Sequence, residues 1–99
     1  MTIEKKMNGN ELVIALEGRL DTMTSPELEA ELNQSLADAD SLTLDFSKLE
    51  YISSAGLRVL LSAHKAMSAM GGMKVTNVNE IVQEVFEVTG FADILNIVK

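Results

Sequence analysis

Hydroxyls at Ser53 and Ser54, the lone imidazole of His64 and the carboxylate of Asp45 are the side chains here whose types could combine into chemistry. Nucleophilic hydrolysis would need a serine, a histidine and an acid within hydrogen-bond reach of one another. His64 stands ten positions after Ser54 in one apolar helical stretch. At about 1.5 Å of rise per residue the two lie roughly 15 Å apart, so the hydrolase arrangement fails on geometry. His64 then reads as a residue on a helix flank. Two uses of the serines remain. A hydroxyl at a helix start can cap unpaired backbone N–H groups, or it can accept a phosphate at the positive end of the helix dipole. Judged on residue chemistry alone, the cap is the commoner role. Ala55-Gly56 makes the turn sterically bare, and Arg58 falls one helical turn after Ser54, where it could face a phosphate.

Other chemistries find less. Gly71-Gly72 and Gly9 match neither GxxxxGK[ST] nor GxGxxG, so no bound nucleotide or other cofactor is expected. Glu27 with Glu31, Asp38 with Asp40, and Glu84 with Glu87 read as solvated helix faces and ends, without metal-ligand spacing. No metal site and no catalytic residue is expected. Cysteine is absent, which excludes disulfides, thiolate metal sites and thiol catalysis.

The serines must be positioned by the elements around them. Leu42, Leu44 and Phe46 alternate with Thr43 and Asp45, a strand over 42–46 that passes through a short turn into a helix from about Ala55 to Met70. Upstream, Thr2 to Met7 reads as an edge strand, and Asn8-Gly9-Asn10 carries hairpin chemistry. Glu11 to Glu17 is apolar on both faces, which predicts a strand inside the sheet. Ser25-Pro26 predicts a helix start with the serine as cap, continued by Leu28, Leu32 and Leu36. Met73 to Asn77 reads as a strand and Gly71-Gly72 as the stop before it. Glu80 to Val88 reads as a helix with Ile81, Val82, Val85 and Phe86 facing inward, and Ile94 to Val98 as a last strand. The order β-β-α-β-α-β-α-β predicts an α/β fold with a mixed, mostly parallel sheet and helices packed on it. One domain over 1–99 is expected from a length of 99 residues.

The formal charge of −7, from 15 acidic against 8 basic residues, leaves no basic face for nucleic acid and disfavours anionic membranes. The apolar runs are too short for a membrane span, and the start MTIEKKMNGNE has no secretory signal. A complete, cytoplasmic chain is the expectation.

Asp45-Phe46-Ser47, followed by Tyr51-Ile52-Ser53-Ser54-Ala55-Gly56-Leu57, resembles the signature of STAS domains, and more closely that of bacterial anti-sigma factor antagonists. Gly18-Arg19-Leu20-Asp21, Gly71-Gly72 and Thr89-Gly90-Phe91 match that family in type and spacing, so the resemblance covers essentially the whole chain. It implies a STAS-like fold and a binding protein, not an enzyme. In that family the unphosphorylated form sequesters an anti-sigma factor that is also a serine protein kinase, which frees a sigma factor. Phosphorylation of one serine by the kinase breaks the complex, and a PP2C-type phosphatase restores it. By motif the acceptor corresponds to Ser54. Many members carry aspartate where this chain has Ser53, which leaves Ser53 as a lesser acceptor. The resemblance further implies a partner face that includes Asp21 and Thr22 along with Ser53, Gly56, Leu57 and Arg58. The alternative that the resemblance allows is a constitutive STAS subunit of a lipid transporter or stress-sensing complex.

Overall fold

A computed structural model describes residues 1–98 of the chain. Strands β1 (Thr2–Asn8) and β2 (Glu11–Leu20) lead into helix α1 (Ser25–Ser35). Then come β3 (Ser41–Ile52), α2 (Ser54–Ser68), β4 (Met73–Thr76), α3 (Glu80–Thr89) and β5 (Asn96–Val98). The five strands form one sheet in chain order. β1 pairs antiparallel with β2, and every later neighbour pairs parallel. The expected α/β class, the mixed sheet and the element order are all present.

Consecutive parallel strands joined by right-handed crossovers place every crossover helix on the same face of the sheet. The side chains follow that rule. Leu12, Ile14 and Leu16 of β2, Leu42, Leu44 and Phe46 of β3, and Val75 of β4 are buried on that face against Leu28 and Leu32 of α1, Leu60 and Ala63 of α2, and Val82 and Phe86 of α3. The rings of Phe46 and Phe86 stand 6.5 Å apart across this layer. On the opposite face Val13 and Ala15 stay half-buried, beside a polar row in which the Thr43 hydroxyl donates to Glu11 at 2.6 Å. β2 is thus interior to the sheet, as expected, but its second face has no helix over it.

Several boundaries differ from expectation. β3 does not stop at Phe46; it runs on to Ile52. Its pairing with β2 steps from Ala15↔Asp45 to Glu17↔Lys48, and again from Gly18↔Leu49 to Arg19↔Tyr51, so β3 carries two extra residues. Each bulge breaks the two-residue alternation, which is why polar Ser47, Lys48 and Glu50 resemble a turn. The start of α1 also differs. Thr24, not Ser25, holds the N-cap position, and Ser25 is buried with its hydroxyl donating to the Asp21 carbonyl. On α3, Ile81 is 59% exposed, whereas Val82 and Phe86 are buried, so Ile81 lies outside the inner face assigned to it. The fold's last strand starts at Asn96, because Phe91–Asp93 forms a 3-10 turn.

Candidate functional site

The two bulges in β3 carry Ile52 level with Leu20 at the end of β2. There the Ser53 N–H donates to the Leu20 carbonyl at 2.9 Å, which ties the chain to β2 just before α2 starts. Ser53 takes the N-cap position with extended backbone, and its carbonyl accepts the Leu57 N–H at 2.9 Å. Its hydroxyl makes no cap hydrogen bond, and Oγ is buried without a partner. Ser54, one residue later than the cap and one earlier than the helix start expected at Ala55, is the first helical residue and is exposed. Its position puts a free hydroxyl at the positive end of a 15-residue helix, where first-turn N–H groups have no intrahelical acceptor.

Why Ser54 points outward follows from the next two residues. Gly56 is buried, and a Cβ there would come within 2.8 Å of Leu20 Cγ and 2.9 Å of Ile52 Cγ1. Leu57 is 5% exposed and belongs to the core. With Gly56 and Leu57 turned inward, the helix phase turns Ser54 and Arg58 to solvent. Gly56 and Leu57, expected as contact residues, therefore present little side-chain surface. The bareness of Ala55-Gly56 lets the helix approach the ends of β2 and β3, and does not open the turn to a partner. Ser53 contributes backbone, since its side-chain oxygen is shielded.

The neighbouring β2–α1 turn is pinned by hydrogen bonds around Asp21. Asp21 Oδ1 accepts the N–H groups of Met23 at 3.0 Å and Thr24 at 3.1 Å. In return the Asp21 N–H donates to Thr24 Oγ1 at 2.9 Å, and that hydroxyl donates to the Arg19 carbonyl at 2.8 Å. These bonds hold the Asp21 carboxyl below its ordinary 3.8, the Thr24 N–H most of all, with the Thr24 hydroxyl, the Met23 N–H and the Arg19 charge adding to it against partial burial. Arg19 lies 4.6 Å over the Tyr51 ring and 4.0 Å from Asp21 Oδ2, so the tips of β2 and β3 are joined by side chains as well as by backbone. A second lowered carboxyl, Asp45, accepts from Asn77 Nδ2 at 2.9 Å, its main cause, and from the Ser47 N–H at 3.0 Å. Asp45 thus fastens the first bulge and does not approach the serines.

Thr22 and Arg58 line a shallow groove of about 160 Å³ between the starts of α1 and α2, together with Ala55, Pro26 and Glu29. Of the expected set, the structure brings Asp21, Thr22, Ser54 and Arg58 to one surface and sends Gly56 and Leu57 beneath it. Arg19, Tyr51 and the bare side chain of Met23 join that surface without having been singled out. For Arg19 and Tyr51 the signal is register: only the paired bulges place one opposite the other. A cleft of about 710 Å³ between α3 and β5 is open to solvent, lined by Glu80, Glu84 and Glu87 among others, and lies away from this surface. His64 stays on α2, half-buried, with Nδ1 unpartnered. Among the described residues no three His, Asp or Glu side chains converge as metal ligands, and no helix is long and apolar enough to cross a membrane.

A family model described as Mlab, STAS domain, matches residues 3–98. A Bordetella bronchiseptica protein that carries the name anti-sigma factor antagonist BtrV is 38% identical over 85 residues, covering 84% of this chain and 73% of its own. Among solved structures, an anti-sigma factor antagonist from Mycobacterium paratuberculosis superposes with a TM-score of 0.88 at 23% identity, over 97% of this chain and 83% of that one. The Bacillus cell fate determinant SpoIIAA in its phosphorylated form superposes with a TM-score of 0.75 at 19% identity, over 99% of this chain and 92% of that one. At such identities the two structures bear on the fold alone.

Proposed function

The chain belongs to the STAS domain family, and from that premise we propose that it is an anti-sigma factor antagonist switched by phosphorylation of Ser54. It acts as a binding protein, not an enzyme. In the unphosphorylated form it holds an anti-sigma factor that is also a serine protein kinase, and so frees a sigma factor. The kinase phosphorylates Ser54, and a PP2C-type phosphatase reverses the step. These partners place it in the cytoplasm.

One observation carries this reading: Ser54 is exposed at the first turn of α2 while the adjacent Ser53 oxygen is shielded. A kinase can reach only the former without opening the fold. The name of the Bordetella relative supports the partner class, and the phosphorylated form of SpoIIAA shows that this architecture is compatible with a phosphate in that protein.

The switch follows from electrostatics at the surface. A phosphate on Ser54 adds about −1.5 to −2 charges. Within the domain that charge meets the helix dipole, free first-turn N–H groups and Arg58 one turn on, so the fold tolerates it. Against a partner fitted to a neutral hydroxyl it brings repulsion and lost hydration, of the order of several kcal/mol out of the roughly 8 kcal/mol that a micromolar complex has. The interface is lost while the domain stays intact.

The test is to incubate the protein with the serine kinase of the same genome and ATP, then map phosphate by mass spectrometry. Phosphate on Ser54 alone is the expected result. An unmodified Ser54, or recovery of a transporter ATPase in place of a kinase in a pull-down, would replace this reading with the constitutive-subunit alternative.

A further inference from the structure

Met23 is 84% exposed, the most exposed of the large apolar side chains among the described residues. Single apolar residues on a surface are ordinary and by themselves mean nothing. Met23 differs in how it is held. Its N–H is fixed to Asp21 Oδ1, the next N–H is fixed to the same oxygen, and Thr24 Oγ1 locks the turn to the Arg19 carbonyl. A bare thioether chain therefore stands on a backbone that has little conformational freedom left to lose on docking. It follows Thr22, which lines the groove shared with Ala55 and Arg58, and these two belong to the same first turns of α2 as Ser54.

Resting on the reading that this surface docks a kinase-type anti-sigma factor, we propose that Met23 is the apolar anchor of that contact and enters a slot in the partner bordered by lysine or arginine. The apolar half of this assignment follows from the exposed, pre-ordered methionine, a side chain that adapts to irregular pockets. Its basic border follows from exposed Glu27 and Glu29 on the first turns of α1, which together with Asp21 outnumber Arg19 and Arg58 on this surface. Anchors of this kind concentrate the binding energy of an interface, and the surrounding polar contacts serve to fix register. Ser54 then gates a contact whose affinity is set next door.

The experiment measures the affinity of the full chain for the purified serine kinase of histidine-kinase-type ATPase fold from the same genome, by titration calorimetry. Wild type, Met23→Leu and Met23→Ala are compared at low and high salt. Because Met23 packs into nothing, all variants fold, which equal thermal midpoints verify. Met23→Ala is expected to bind at least tenfold more weakly, Met23→Leu to stay close to wild type, and added salt to weaken all three. Equal binding by wild type and Met23→Ala overturns the anchor and leaves the antagonist reading standing. Salt-independent binding overturns the basic border. A wild type that does not bind this kinase overturns the antagonist reading, and the anchor falls with it.

Discussion

Replacing Gly56 with alanine tests whether the start of α2 is seated as tightly as the site requires. The added Cβ would lie 2.8 Å from Leu20 Cγ, 2.9 Å from Ile52 Cγ1 and 3.1 Å from Leu20 Cδ2. Carbon atoms prefer about 3.5–4.0 Å, so the nearest contacts are short by roughly 0.6 Å or more. Leu20 and Ile52 are both fully buried and sit on strands tied together by the paired bulges, so neither can retreat cheaply. Overpacking of this sort costs about 1–3 kcal/mol. Alanine in place of glycine recovers at most about 1 kcal/mol of helix propensity, and less in a first turn. Overpacking wins, and the net loss is about 1–2 kcal/mol, which for a domain of this size lowers the thermal midpoint by about 4–16 °C. Thermal and urea unfolding followed by far-ultraviolet circular dichroism measure it. A midpoint unchanged or raised for Gly56→Ala would refute the reasoning, because α2 could then shift off the strand tips and Ser54 would not be held in place.

Further outcomes follow from particular contacts. Asn79 caps α3 by accepting the Val82 N–H at 2.8 Å while its Nδ2 donates to the Leu49 carbonyl at 2.8 Å, so Asn79→Ala should lose about 1–2 kcal/mol in urea unfolding. Ser53→Ala removes a buried oxygen that has no partner, so its unfolding midpoint should equal or exceed that of wild type. Asp21 and Asp45 both have carboxyls lowered from 3.8 in the folded state, so the stability they contribute is present in full above that value and is lost as pH falls through their folded values. Urea midpoints should therefore hold level from neutral pH to about pH 5 and drop below pH 4. Asp45→Ala should make that acid drop shallower, and an unchanged slope would show that the Asn77 and Ser47 contacts contribute nothing.

The sheet and its helices could be read from the chain because α-helical and strand periods are printed clearly in Leu28–Leu32–Leu36 and in Leu42–Leu44–Phe46. The resemblance around Ser53-Ser54 pointed to the turn at which Ser54 stands exposed. What the sequence did not reveal lies where local pattern and tertiary pairing diverge. Two bulges in β3 scramble the alternation after Asp45, hiding six strand residues and the pairing of Arg19 with Tyr51. Gly56 looks like an opening in a turn, yet a missing side chain can equally serve close approach from inside, and only the positions of Leu20 and Ile52 decide which. Leu57 and Ile81 show the same limit for helix faces. Each is apolar, but one turns inward and the other outward, according to the strands beneath.

The central claim is that one phosphate added at Ser54 decides whether the partner docks while the domain keeps its shape. Its most direct measurement is the affinity of the protein for the anti-sigma kinase, before and after stoichiometric phosphorylation of Ser54. The account predicts that binding weakens at least about a hundredfold, the equivalent of roughly 3 kcal/mol, with the circular dichroism spectrum unaltered. Equal affinity in the two states would contradict it.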